Sequence, residues 1–226
     1  MNYSTDIPYH DRASKATYVA GRYRDLLGVQ VLDVGGDAGH LRSHVEQLGG
    51  QYTAIGFGPG VDREYDLEHL PYPFADKSFD TVLCLDVLEH LEQAHGALDE
   101  LCRIARHSVV ICLPNPWATF WSLLRVGDYR LGQATKFYGL PVHRPADRHR
   151  WFYGLHEARA FLEVGAQNNG FQVTQIEEES KGRFWLSGWR GWLQRLLFRR
   201  LFRADIDQLG LVDGPLWCVL QRQDES

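Results

Sequence analysis

The chain has 226 residues, enough for one large domain whose core needs neither disulfides nor metal. Its 44% hydrophobic, 23% charged and 12% aromatic residues exclude fibrous and disordered classes, and a net charge of −5 gives no global field to recruit a polyanion. The start MNYSTDIPYHDRASK lacks the apolar centre of a signal peptide, and no run approaches the roughly eighteen apolar residues of a membrane span, so a cytoplasmic protein is expected. Cys84, Cys102, Cys112 and Cys218 form no CxxC pair, and three of them lie in apolar runs, as reduced core cysteines do.

The first strong pattern is Val29 to Val34, a β-type run ending in the Gly-rich stretch Gly35 to Gly39. This is the strand, tight turn and helix start of a doubly wound α/β unit. His40 to Leu48 has apolar residues at 41, 45 and 48, a helical spacing stopped by Gly49 and Gly50. Gln51 to Phe57 reads as a second strand, and the Gly, Pro and Asp content of 58–78 forbids a long helix there. Phe79 to Leu85 is nearly all apolar, as in a central parallel strand covered on both faces. Val87 to Ala105 repeats apolar residues at helical spacing, and Ser108 to Leu113 is the next buried strand, stopped by Pro114-Asn115-Pro116. Residues 117–153 are rich in aromatics and arginines with little periodicity, the composition of an insertion that covers a site. A helix at Leu155 to Ala166 and strands at Phe171 to Glu178 and Leu216 to Gln221 complete the pattern. Between the last two strands, Lys181 to Arg203 holds seven Lys or Arg and no acid. Plotted as a helix, it gathers Leu186, Trp189, Trp192, Leu193, Leu196 and Leu197 on one wide face, with Arg195 and Arg199 opposite. Such a helix lies on an anionic membrane surface, caps a lipid-like substrate, or packs on the domain with a basic back.

The glycine loop lets a ligand approach backbone N–H groups at a helix start. With it, in order, stand Asp33 at the end of the first strand, Tyr65-Asp66-Leu67-Glu68 followed by LPYPFADKSFD, the strand FDTVLCL, and Asp86-Val87-Leu88-Glu89-His90-Leu91. In this succession, over about residues 29–116, the chain resembles the class I S-adenosylmethionine-dependent methyltransferases, in the branch that carries LPFxDxSFDxV and then LEH. The resemblance implies an α/β Rossmann-like fold in a single domain, 1–226, with a mainly parallel sheet and helices on both faces. Its parts would be an N-terminal cap helix (1–28), a cofactor-binding core (29–116), a lid (117–153), and a part completing the sheet (154–226) with a basic amphipathic helix near 185–203. The implied cofactor is S-adenosylmethionine, leaving as S-adenosylhomocysteine. Asp33, Gly35, Gly36, Asp37 and Gly39 would take its methionine end, Asp66 its adenine amine, Leu67 the ring, and Asp86 and Val87 the floor near the sulfonium. Tyr9, His10, Arg12 and Tyr18 would belong to a helix closing over it. Two positions depart from the family: Asp37 stands at a usual glycine, and Phe57 replaces the acid that holds the ribose hydroxyls, a task left to Asp62 or Glu64.

For the acceptor, His143 and His149 are candidate bases by their ordinary pKa, and His90 is a wall residue or acid–base group; a structural histidine is the competing reading of each. Tyr138, Arg148, Arg150 and Trp151, with Arg130, Arg144, Trp117 and Trp121, suggest an anionic or partly apolar acceptor: a phosphorylated sugar, a lipid-linked saccharide or an aromatic acid. No metal centre is expected, since Asp147 and His149 stand two apart in a basic loop without a matching cluster. The expected activity is O- or N-methylation of a small molecule or glycoconjugate by in-line transfer. An idle methyltransferase-like module, docking on a protein or membrane through its basic aromatic surface, is the alternative that Phe57 and Asp37 motivate. An NAD-dependent dehydrogenase would need the G-x-G-x-x-G spacing, which is absent. Nucleic acid is disfavoured by the net charge and by the lack of an acidic or aromatic residue before Pro114-Asn115-Pro116. Peripheral contact with the inner membrane surface stays open, and the oligomeric state is not legible.

Overall fold

The near-continuous apolar runs become adjacent parallel strands at the middle of one sheet: β2 (Gln30–Val34), β5 (Phe79–Leu85) and β6 (Ala105–Leu113). The structure, a computed structural model, describes residues 2–4, 9–36, 38–126, 138–139, 143–145, 147–179, 187–207 and 209–223. Beyond β2 lie β3 (Gln51–Gly56) and the short β4 (Arg63–Glu64); beyond β6 lie β8 (Leu216–Arg222), β7 (Phe171–Glu179) and β1 (Asn2–Ser4). The sheet order is β1-β7-β8-β6-β5-β2-β3-β4, and only β8 runs antiparallel to its neighbours. The α/β, mainly parallel architecture expected from the sequence is therefore the observed one.

Helices cover both faces. On one, α1 (Arg12–Arg22) and α2 (Arg42–Gln47) bury Ala16, Val19 and Val45 around the fully buried Trp217. On the other, α3 (Ala94–Ile104) and α5 (Leu155–Asn168) bury Leu98, Leu101, Ala158 and Leu162 against Phe171 and the strands. Asp11 starts α1 with a capping box, its Oδ1 accepting from the Ser14 N–H at 2.7 Å. The four cysteines are buried and free. Among the described residues no helix is long and apolar enough to cross a membrane.

Three expectations change. The helix expected over 87–105 is split into a 3-10 turn at Leu88–His90 and α3, because the Glu68 carboxylate captures the Glu92 N–H at 2.8 Å and the Gln93 N–H at 3.4 Å. The insertion 117–153 starts as a regular helix, α4 (Pro116–Val126), capped by Asn115 Oδ1, which accepts from the N–H groups of Trp117 (3.1 Å) and Ala118 (3.3 Å). The basic helix forms as α6 (Gly188–Phe202), but the face that packs carries Gly191 and Phe198, while Trp189, Trp192, Leu193, Leu196 and Leu197 are exposed. Leu186 lies outside the described residues.

Candidate active site

The strand order reverses direction at β2, with β3 on one side and β5 on the other, and a crevice opens at their carboxyl ends. Its deeper part, a cavity of about 160 Å³, is lined by Arg12, Lys15, Asp33, Gly35, Gly36, Gly39 and Asp86 among others. Gly35 has φ +88°, and a Cβ there would stand 2.3 Å from Val87 Cγ2; a Cβ on Gly36 would stand 2.7 Å from Asp33 Oδ2. Glycine at both positions thus lets the loop lie flat on the strand end, with Asp33 beneath it. Tyr52 donates its hydroxyl proton to Asp33 Oδ2 at 2.6 Å, yet burial outweighs this and the Lys15 charge and pushes the Asp33 carboxyl up to about 6. Asp86 adopts φ 56°, a left-handed conformation that Asp tolerates better than most residues, and accepts from Lys15 Nζ at 2.5 Å. The Lys15 ammonium also lies 3.3 Å from Cys112 Sγ and 5.0 Å above the Trp217 ring. Desolvation opposes its charge, but the Cys112 sulfur and the Asp86 carboxylate more than compensate, so its pKa is raised.

A second cavity, about 420 Å³, shares Arg12, Lys15 and Asp86 with the first and extends past Glu89, His90, Asp147 and His149 to Ala118 and Thr119 of α4. Among the described residues neither oxygen of the buried Glu89 has a hydrogen-bond partner, and burial, reinforced by Asp86, holds its carboxyl well above the usual carboxylate range. Two imidazoles turn Nε2 toward Glu89 Oε1, His90 at 3.7 Å and His149 at 3.9 Å. Each is held from behind: His90 Nδ1 lies 2.7 Å from Asp147 Oδ1, and His149 Nδ1 lies 3.0 Å from Tyr138 Oη. Because Tyr138 gives its own proton to the Trp151 carbonyl at 3.1 Å, His149 must donate from Nδ1, which leaves the basic lone pair on Nε2. The ligand atoms of Glu89, His90 and His149 lie within 4.8 Å of one another, a donor set able to hold a divalent cation and a grouping not foreseen from sequence. Glu89 is also a wall of a third, apolar cavity of about 250 Å³ lined by Trp151, Phe152 and Phe161.

Residues 32–113 match the family described as a methyltransferase domain. Over that stretch the chain is similar to methyltransferase domains. A ubiquinone biosynthesis O-methyltransferase of Xanthomonas euvesicatoria pv. vesicatoria is 36% identical over 33% of this chain and 37% of its own length. The chain thus spans well under half the length of the curated relatives it matches, 37% and 43% in two cases. Among solved structures, the magnesium protoporphyrin IX methyltransferase of Synechocystis PCC 6803 with bound SAH covers 95% of this chain and 89% of its own at 16% identity and TM-score 0.52. The cyclase SpnF covers 98% and 85% at 15% identity and TM-score 0.57. At such identities the likeness is one of fold, and a methyltransferase and a cyclase sharing it show that the fold does not choose the reaction.

The crevice fits the methionine end of the cofactor that the resemblance implies: cations Arg12 and Lys15 and anions Asp33 and Asp86 surround one cavity floored by glycine backbone, matching a zwitterion. Asp33, Gly35, Gly36, Gly39 and Asp86 line this cavity together; Asp37 lies outside the described residues. Val87 is buried behind Gly35 and buttresses the loop instead of lining the cavity. Asp66 and Leu67 do not line the glycine-loop cavity; Asp66 Oδ1 accepts from the Glu68 N–H at 3.0 Å, and its other oxygen lies 3.3 Å from His69 Nδ1. Asp62 does not line the cavity, and its Oδ2 accepts from Ala54 N at 2.8 Å and Arg42 Nη2 at 2.7 Å. Glu64 does not line the cavity, and Phe57 is exposed.

On the acceptor side, His90 and His149 converge on the second cavity, whereas His143 is exposed and lines none of these cavities. Arg148 is likewise exposed and lines none of them. Arg150 is exposed too and fastens its segment to the LEH turn, donating its N–H to the Glu89 carbonyl at 2.7 Å. Trp151 donates its indole N–H to the Leu91 carbonyl at 2.7 Å and faces the apolar cavity. Tyr138 is a support for His149. Asn115 spends both amide protons on the carbonyls of Gly210 (2.7 Å) and Asp213 (2.8 Å), so the Pro-Asn-Pro segment is structural. Arg144, Arg148 and Arg150 stand outside the second cavity, whose charged lining is Arg12 and Lys15 with Asp86, Glu89, Asp147 and Glu179; Arg130 lies outside the described residues. Lys15 was missed from sequence: a lone lysine on an N-terminal helix carries no signal until the fold brings it to Asp86, 71 positions away.

Proposed function

We propose that the protein transfers a methyl group from S-adenosylmethionine to a hydroxyl of a small acceptor held in the cavity between α4 and His149. The observation that carries this reading is the placement of His149: Tyr138 holds its Nδ1, its Nε2 stands beside Glu89, and the residue lines a cavity that shares a wall with the cofactor crevice. When bound, the cofactor supplies a methyl group on a positively charged sulfur, so the reacting carbon is already activated and the protein has to position the acceptor and take its proton. His149 Nε2 is the group placed to accept that proton. A charge appearing on His149 would favour ionisation of Glu89 beside it, so the two share the positive and negative charge within the buried site. His90, braced by Asp147, flanks the same carboxyl and positions it.

The carboxylates Asp86, Asp147 and Glu179, with Arg12 and Lys15 in the same lining, offer hydrogen-bond acceptors and donors to a substrate rich in hydroxyls, such as the sugar of a glycoconjugate. The relatives named as O-methyltransferases support oxygen as the acceptor atom. Calorimetric titration should give micromolar binding of S-adenosylmethionine and S-adenosylhomocysteine and none of NAD; silence for both adenosyl ligands would return the idle binding module. Release of S-adenosylhomocysteine against a panel of glycosides and phenols then tests the reaction. His149→Asn should lower kcat about a hundredfold or more with little change in cofactor affinity, and Tyr138→Phe should lower it less while shifting the pH profile. Full activity in His149→Asn would remove this residue as the base.

A further inference from the structure

Helix α6 is apolar on both sides, and the domain covers only one of them. Gly191 and Phe198 face inward, the Phe198 ring meeting Trp121 of α4 at 5.7 Å above Ile206 and Leu211. At about 100° per residue, Trp189, Trp192, Leu193, Leu196 and Leu197 fall on the arc opposite Gly191 and Phe198. All five are exposed, Trp189 by 71% and Trp192 by 64%. Adjacent α4 adds exposed Phe120 and Leu124. Five large apolar side chains gathered on the exposed arc of one surface helix mark a contact site, since scattered single side chains would need no account but such a cluster does.

The charges on the helix select the occupant. No acid occurs from Gly188 to Arg203. Arg195 and Arg199 pair with Asp207 and Asp205 of the following loop, whereas Arg190 is exposed at the edge of the apolar arc and Arg200 and Arg203 are exposed within it at the C-terminal end. A second copy of this helix across a two-fold axis would bring arginines against arginines, which the interface would have to desolvate. An anionic bilayer meets both features at once: indole rings settle at the level of the headgroups, leucines enter the acyl boundary, and the arginines reach lipid phosphates. We propose that α6 is a peripheral anchor that lies in the headgroup layer of an anionic membrane, and this does not depend on which acceptor is methylated. The helix rests on α4, whose Ala118 and Thr119 wall the acceptor cavity, so docking brings that cavity close to the bilayer.

The test is co-sedimentation of the full chain with vesicles of phosphatidylcholine alone and of phosphatidylcholine mixed with phosphatidylglycerol, at low and high salt. Binding is expected only to the anionic vesicles, falling as salt rises, with a blue shift of tryptophan emission. Trp189→Ser with Trp192→Ser should abolish the blue shift and weaken binding at least tenfold. Arg190→Gln with Arg200→Gln should weaken it on the order of thirtyfold, at about 1 kcal/mol per arginine. Because all four side chains are exposed, unchanged circular dichroism and cofactor binding verify that the variants fold. Equal binding to neutral and anionic vesicles, no binding to either, or a dimer that the tryptophan variants disperse would each overturn the proposal.

Discussion

At the scale of single residues, Asp33 is the group whose environment says most. Its carboxyl sits at about 6 in the folded protein against 3.8 ordinarily, so the folded chain holds this proton more tightly than the unfolded one. Its contribution to stability is therefore complete below about pH 4 and drains away as pH rises to about 6, a change on the order of 3 kcal/mol. Cofactor binding should run the opposite way: an ionised Asp33 suits the cofactor's ammonium, so affinity should rise between pH 5 and 6.5 and then level off. Calorimetry across that range, with Asp33→Asn as the flat reference, checks it; a wild-type profile without slope would remove Asp33 from the amino-group side. Phe57 yields a test by gain. With Asp62 engaged by Arg42 and Ala54, Phe57→Asp should tighten S-adenosylmethionine about tenfold by returning a carboxylate to the ribose hydroxyls. No gain would mean that the ribose does not pass this position.

At the scale of elements, the cofactor loop does not stand alone. A Cβ on Gly60 would lie 2.2 Å from the Ala38 carbonyl carbon and the Gly39 nitrogen, so the turn after β3 rests backbone to backbone on the loop after β2. Gly60→Ala is expected to cost about 1 to 3 kcal/mol of stability and to lower cofactor affinity at least tenfold, because the loop has to move. Thermal unfolding and calorimetry read both, and an unchanged affinity would show that the contact is idle. Sequence made the strands β2, β5 and β6 legible because strands buried on both faces leave no polar interruption. It left α4 hidden, since PWATFWSLLRV packs aromatics on more than one side and so has no clear period. β4, with two residues, has too few positions to alternate. The break between the 88–90 turn and α3 depends on a side chain from Glu68, which no local pattern announces. In the site, the glycine loop and its acids were readable from local order, whereas Lys15, Tyr52 and the Tyr138 support of His149 exist only through contacts between distant segments.

At the scale of the whole molecule, the antiparallel strand β8 ties the two halves of the site together. Its Trp217 is fully buried, with Tyr18 and Tyr23 of the N-terminal segment at centroid distances of 5.3 and 5.9 Å and the Lys15 ammonium over its ring. A residue near the C-terminus thereby seats the helix that closes the cofactor crevice. Trp217→Ala should cost about 3 to 5 kcal/mol. The more informative change is Trp217→Phe, which keeps a ring but loses area: it should retain the fold and weaken cofactor binding more than it lowers the unfolding midpoint. Equal losses in both would mean that Trp217 is only a core residue.

The ion pair between Lys15 and Asp86 has a consequence for how a ligand enters. The cofactor's methionine end carries one ammonium and one carboxylate, and among the charges of the cavity Lys15 and Asp86 are already joined at 2.5 Å. Entry of that end is then an exchange of partners, one internal pair opening as two new ones form, so the only net charge S-adenosylmethionine brings is its sulfonium. Association with S-adenosylhomocysteine, which lacks that charge, should therefore be nearly indifferent to ionic strength, and the mated pair would give little hold to a stray anion or cation drifting in from solution.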